Sequence, residues 1–154
     1  MIPGRDRDSP LEYMRVVIEM DVPSDVRNIE RIVAMVSRQI RELNFPARVC
    51  SLNVPVALSE ALSNAMLRGN GEDRAKRVRV RALVDQVSLV LEVTDEGVGF
   101  DLEDCTRDPT TPDNVGREDG RGLYLMARLM DRVERFTDGG NVVRLTLKRT
   151  ANHL

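Results

Sequence analysis

The sequence predicts an α+β domain: a two-layer sandwich with a mixed, mostly antiparallel sheet and helices on one face. Three observations predict it. A short apolar strand precedes two helical stretches, the first carrying one apolar stripe at three- and four-residue steps. Two strands with one-residue alternation then follow across a tight turn. After a long polar stretch, one more helix leads into a glycine-rich hairpin.

Taken in order, residues 1–13 read as a polar tail, residues 14–149 as the single domain, and residues 150–154 as a second tail. The first strand covers 14–20 and ends at Val22-Pro23-Ser24. Ser24 is the expected N-cap of the next helix, with Arg27 where a capping-box Glu would stand. In that helix Val26, Ile29, Val33, Val36, Ile40 and Leu43 form the stripe, which is too short for a coiled coil and suits packing on a sheet. Asn44-Phe45-Pro46 breaks the pattern. A second helix spans 54–68 and is stopped by Gly69-Asn70-Gly71.

Strands over 77–84 and 87–94 are joined at Asp85-Gln86. Val78, Val80, Ala82 and Val84 alternate with Arg77, Arg79 and Arg81, so one face is buried and the other wet. The arginine row is either a solvated sheet face or a docking strip for an acidic partner. Residues 101–119 hold Pro109, Pro112 and few apolar positions, the composition of a lid, a binding loop or disorder. A helix over 122–131 places Leu123, Met126, Ala127 and Met130 on one side. Strands over 133–136 and 142–148 close the chain around Asp138-Gly139-Gly140-Asn141.

Composition excludes several classes of function. A chain of 154 residues, 42% hydrophobic and 31% charged, is long enough for one core without disulfides or a structural metal. No apolar run reaches membrane-helix length, and the charged N-terminus lacks a signal-peptide core, so a cytoplasmic protein is expected. Cys50 and Cys105 lie far apart and the only histidine is His153, which leaves no zinc set and no Cys–His nucleophile. A net charge of −2 and few aromatics disfavour direct nucleic-acid binding.

Three short signals carry the chemistry. Glu60 and Asn64, four apart on the second helix, share one face while Leu58, Leu62 and Ala65 turn to the sheet. A carboxylate beside an amide suits a base next to a Mg²⁺-orienting oxygen. Asp95-Glu96-Gly97-Val98-Gly99 follows an apolar strand; its carboxylate can accept from an exocyclic amine, and the glycines admit a flat ligand. Gly120-Arg121-Gly122-Leu123 opens onto a helix, where free N–H groups and the helix dipole favour phosphate. Each signal alone is also what an exposed helix face, a turn or a loop-to-helix join would give.

Their order is more specific. E-x₃-N, then D-x-G-x-G about thirty residues on, then G-x-G before a helix resembles the N, G1 and G2 boxes of the GHKL (Bergerat-fold) ATPase and kinase superfamily. The resemblance covers nearly the whole chain. Ser59-Glu60-Ala61-Leu62-Ser63-Asn64-Ala65 and Gly120-Arg121-Gly122-Leu123-Tyr124-Leu125-Met126 are similar to the anti-sigma-factor serine kinases of bacterial partner-switching systems. Sensor histidine kinases usually have Asn where this chain has Glu60, and they need a phospho-accepting histidine.

The resemblance implies an ATP- and Mg²⁺-dependent serine kinase that phosphorylates a STAS-domain anti-anti-sigma protein, sequesters a sigma factor and forms a homodimer. It implies Glu60 as general base, Asn64 as Mg²⁺ ligand and Asp95 as adenine reader. Gly97 and Gly99 would shape the adenine pocket, and Gly120, Arg121, Gly122 and Leu123 would line the phosphates. Two positions depart from the family pattern: Arg68, where many relatives have His, and Asn141, where many have Thr. Both bear on catalytic rate more than on nucleotide binding. Two other readings stay open: a nucleotide-dependent partner-binding module without catalysis, and the activating kinase of the same modules, which binds no sigma factor.

Overall fold

A computed structural model of the chain describes residues 10–97 and 118–149. Gly99, Cys105, His153, the tail 150–154 and the polar stretch up to residue 117 lie outside the described residues. The elements are α1 (Pro10–Tyr13), β1 (Arg15–Pro23), α2 (Ile29–Glu42), α3 (Val54–Asn64), β2 (Arg77–Val84), β3 (Ser88–Asp95), α4 (Glu118–Leu129), β4 (Arg132–Thr137) and β5 (Asn141–Lys148). The strands form one five-stranded sheet in the order β1-β2-β3-β5-β4, antiparallel at all four pairings. The expected two-layer α+β sandwich is therefore present, with a sheet that is antiparallel throughout the described residues.

Alternation decides what each sheet face carries. Val78, Val80 and Ala82 of β2, Leu89, Leu91 and Val93 of β3, and Leu145 and Leu147 of β5 turn to the helices and are buried. Ala57, Leu58, Ala61 and Leu62 of α3 meet them. Each such leucine, fully withdrawn from water, contributes about 1.5–3 kcal/mol.

The α2 stripe is centred differently from its expected position. Ile32, Val36 and Ile40 are buried, Ile29, Val33 and Leu43 flank them, and Val26 is exposed. Val26 stands outside α2, in a 3₁₀ turn (Val26–Asn28), so it does not extend the helical phase. The expected Ser24 cap is also displaced. Asp25 caps the turn by accepting from the Arg27 backbone N–H at 3.0 Å. The Ser24 backbone N–H instead donates to the Lys76 carbonyl at 3.0 Å, which ties Ser24 to the edge of β2, and its buried hydroxyl donates to the Met66 carbonyl at 3.5 Å.

α3 is flanked by two π-helical turns, Val49–Asn53 and Ala65–Gly69. The expected helix over 54–68 is continuous, but its last turn is wider than α-helical. Buried Asn53 donates from Nδ2 to the Leu129 carbonyl at 2.7 Å, fastening the last turn of α4 to the start of α3. Arg149 donates to the Leu43 carbonyl at 2.9 Å and stacks over Phe45, fixing the end of α2 against the end of β5.

The other sheet face is charged. Arg81 reaches Glu19 and Glu92 at 3.0 Å each, Arg144 reaches Glu92 at 2.8 Å, and Arg77 lies 3.6 Å from Asp21. Glu92 is buried, so its two guanidinium partners keep that charge compensated. Two members of the arginine row, Arg77 and Arg81, are thus ion-paired within the sheet face. At one end of the same face Met14, Leu83 and Val90 form a small cluster with Leu11 of α1 packed on it. The end of the expected polar tail is thus ordered, because Leu11 covers apolar surface there. Among the described residues no helix is long and apolar enough to cross a membrane.

Candidate functional site

Asp95 closes β3 in the same alternation phase as Leu91 and Val93, which directs its side chain to the helix layer, where it is buried. Oδ1 accepts from the Gly97 backbone N–H at 2.8 Å and from Asn141 Nδ2 at 2.9 Å. Burial pushes the carboxyl above its ordinary pKa; the Gly97 and Asn141 hydrogen bonds, and the positive charges of Arg135 and Lys76, oppose this. A buried carboxylate of this kind is suited to accepting from a neutral amine.

The widened turn after α3 lays Gly69 directly on that carboxylate. A Cβ at position 69 would overlap Oδ2, and a Cβ at Gly97 would overlap the Gly69 carbonyl. Asn70, buried one residue on, accepts from the Glu96 backbone N–H at 2.8 Å and donates to the Arg77 carbonyl at 3.0 Å. The Glu96 carboxylate accepts from the Arg77 backbone N–H. The helix end, the start of β2 and the turn after β3 are therefore locked together around Asp95.

Glu60 and Asn64 are half-buried on α3, on the side that faces α4. Gly122 of α4 is buried against both: a Cβ there would lie 2.9 Å from Glu60 Oε2 and 3.3 Å from Asn64 Nδ2. Gly120 and Arg121 were expected at the end of a loop and Gly122 at the start of the helix, but α4 begins earlier, at Glu118, and includes all three. Two glycines weaken a helix by about 1 kcal/mol each relative to alanine. Packing decides against that preference: Leu123, Met126 and Met130 share one side and join the core, and Gly122 admits the close approach of α3. The first-turn N–H groups of α4, around Gly120 and Arg121, are the ones a helix leaves unpaired.

A cavity joins the two halves of the site. Asn64, Arg68, Gly69, Asp95, Leu123 and Met126 line it, with Arg135 entering from β4. The structure therefore brings Glu60, Asn64, Asp95, Gly97, Gly122 and Leu123 to one region, with Gly120 and Arg121 one turn away; Gly99 lies outside the described residues. Sequence reasoning missed three residues. Gly69 was read only as a helix stop. Arg135 was not singled out, although alternation from Val133 points it to the helix layer. Asn70 carries no local signal of its clamp. Cys50 is a free, buried thiol, and burial pushes its pKa up.

The site thus holds a carboxylate buried at the end of a central antiparallel strand, glycine backbone packed against it, and a Glu–Asn pair facing the N-terminal region of α4. Residues 22–147 match the histidine kinase-like ATPase domain family. The chain is 32% identical over 134 residues to the serine-protein kinase RsbW of Bacillus subtilis (strain 168), covering 84% of this chain and 83% of that protein. It is likewise 32% identical to RsbW of Bacillus pumilus (strain SAFR-032) over 139 residues, covering 84% of each chain. The anti-sigma F factor of Clostridium beijerinckii is 25% identical over 126 residues, covering 80% of this chain and 82% of that protein. The chain belongs to the histidine kinase-like ATPase family, within its anti-sigma-factor serine kinase branch.

Proposed function

We propose that this protein is a cytoplasmic serine kinase and anti-sigma factor that transfers the γ-phosphoryl group of ATP to a serine of a STAS-domain anti-anti-sigma protein. The observation that carries the reading is Gly122 packed against both Glu60 and Asn64, at one end of a region whose other end is Asp95. Base-reading and phosphoryl-transfer groups then lie on either side of the cavity that Asn64 and Asp95 both line.

In this reading the Asp95 carboxylate accepts from the 6-amino group of adenine. Gly97, together with Gly99, forms the wall along the base. The N-terminal turn of α4 receives the phosphates on its unpaired N–H groups, around Gly120 and Arg121, and on the helix dipole, with Gly122 and Leu123 lining the site beside them. Glu60 takes the proton of the serine hydroxyl as the oxygen attacks the γ-phosphorus. The bond from that phosphorus to the β–γ bridging oxygen breaks, leaving phosphoserine and ADP.

Among the described residues no cluster of three or more His, Cys, Asp or Glu forms a protein cage for a metal. A single amide oxygen from Asn64 fits Mg²⁺, which typically completes its shell with phosphate oxygens and water. When bound, that ion neutralises charge on the phosphates. The likeness to RsbW and the anti-sigma F factors supports the sigma-factor partner, and the family resemblance supports the STAS partner and a homodimer.

Incubating the protein with γ-labelled ATP, Mg²⁺ and a STAS-domain protein from the same genome tests the reading, alongside capture of sigma factors. Label on a STAS serine and retention of a sigma factor are expected. ATP binding without transfer would support the binding-module reading; transfer without sigma capture would identify the activating kinase.

A further inference from the structure

α3 and α4 lie antiparallel, each presenting one stripe of residues along its length. On α3 and the turn before it the stripe is Asn53, Ala57, Glu60 and Asn64, at steps of four, three and four; on α4 it is Gly122, Met126 and Leu129, at steps of four and three. The helices are joined at both ends of these stripes. At one end Gly122 is packed on Glu60 and Asn64. At the other, Asn53 is buried and its Nδ2 donates to the Leu129 carbonyl at 2.7 Å. Glu60 follows Asn53 by seven residues and Leu129 follows Gly122 by seven, so the two contacts stand about 10 Å apart on both helices. Ala57 and Met126, between them, are fully buried.

Leu129 is the last residue of α4, and the final carbonyls of a helix have no partner within it. Asn53 Oδ1 accepts nothing among the described residues, so the tie to Leu129 is the one hydrogen bond this buried amide makes there. On the sheet side, the Asp131 backbone N–H donates to the Thr146 carbonyl at 2.8 Å and fastens the chain after α4 to β5. We propose that Asn53 is a positioning residue for phosphoryl transfer. By holding the Leu129 carbonyl it sets how far α4 is drawn along α3, and through that register where the first turn of α4 stands relative to Glu60. The proposal rests on Glu60 and that first turn being the transfer groups. Asp95 lies on β3, outside the helix pair, so base binding does not depend on the register.

The test uses wild type, Asn53→Ala, Asn53→Gln, Gly122→Ala and a variant carrying both Asn53→Ala and Gly122→Ala. Single-turnover transfer from γ-labelled ATP to a STAS-domain serine, ATP affinity by calorimetry and melting temperature are measured for each. Asn53→Ala leaves the Leu129 carbonyl without its donor. Its transfer is expected to fall roughly tenfold to a hundredfold where it is fully folded, with ATP affinity changed less than about threefold. Asn53→Gln keeps the amide on a stem one methylene longer and holds α4 off register. Its transfer should fall as well, and it carries the test if Asn53→Ala does not fold. Both alanine substitutions act on one register, so their losses should combine to less than their product in the double variant. A merely structural role would lower the melting temperature and leave transfer by the folded variants at the wild-type rate, and this result would overturn the proposal. Losses that multiply in full would also overturn it, because Asn53 would then act apart from the Gly122 contact. No transfer by wild type defeats the kinase reading, and the positioning role falls with it.

Discussion

Gly69 lies flat against the carboxylate of Asp95, so closely that a Cβ at position 69 would overlap Oδ2. The contact is made across 26 residues of sequence, by the widened turn that ends α3. It makes the absence of a side chain at 69 a condition for the geometry of Asp95.

Gly69→Ala is therefore expected to displace either the Asp95 carboxylate or the Gly69 carbonyl that packs on Gly97. Overpacking of this kind costs about 1–3 kcal/mol, and ATP affinity should fall at least about tenfold with it. Thermal unfolding and calorimetry on the same sample check both effects. Wild-type affinity in the folded variant would remove Gly69 from the site.

Asp95→Asn separates recognition from stability. Burial raises the Asp95 pKa above its unfolded value, so the native state favours the protonated form. The ionised carboxylate therefore costs stability, which is lost as pH rises from the ordinary carboxylate value to the raised one and stays lost above it. Asparagine does not titrate, so without nucleotide the variant should melt higher than wild type near pH 7.5, and the gap should close towards pH 4. Its ATP affinity should fall about ten- to hundredfold, because a donor replaces the acceptor of the adenine amine. A variant that melts lower at every pH would contradict the buried-charge account.

Glu60→Gln keeps the size and helix propensity of the side chain and removes its basicity. ATP binding and partner binding should stay normal while serine phosphorylation falls at least about a hundredfold. Single-turnover transfer at saturating ATP measures this directly. Equal rates would place the base elsewhere.

Gly122→Ala should act on rate without weakening the fold. The new Cβ would stand 2.9 Å from Glu60 Oε2 and 3.3 Å from Asn64 Nδ2, so both side chains must give by a few tenths of an ångström. Alanine favours the helix by about 1 kcal/mol over glycine, which offsets the crowding in stability. Phosphoryl transfer should drop by roughly threefold to tenfold, since positioning carries much of that reaction. A lowered melting temperature with an unchanged rate would show that Gly122 serves packing alone.

Sequence alone determined the element order, the alternating faces of β2 and the placement of Glu60, Asn64 and Asp95, because these follow from local periodicity and spacing. Local patterns also fixed which side of α3 is buried, as Leu58 and Leu62 show. Tertiary structure decided the rest. α4 extends back through Gly120 to Glu118 because core contacts of Leu123 and Met126 outweigh glycine's poor propensity. Ser24 gave up its cap because its backbone joined the edge of β2. Asn141 and Arg135 meet Asp95 only because the β3–β5 register joins segments distant in sequence and the β4–β5 hairpin brings β4 alongside. Periodicity can say which way a side chain points. Only the packing of one element on another says what it points at, because that depends on surfaces whose complementarity is not written in either segment alone.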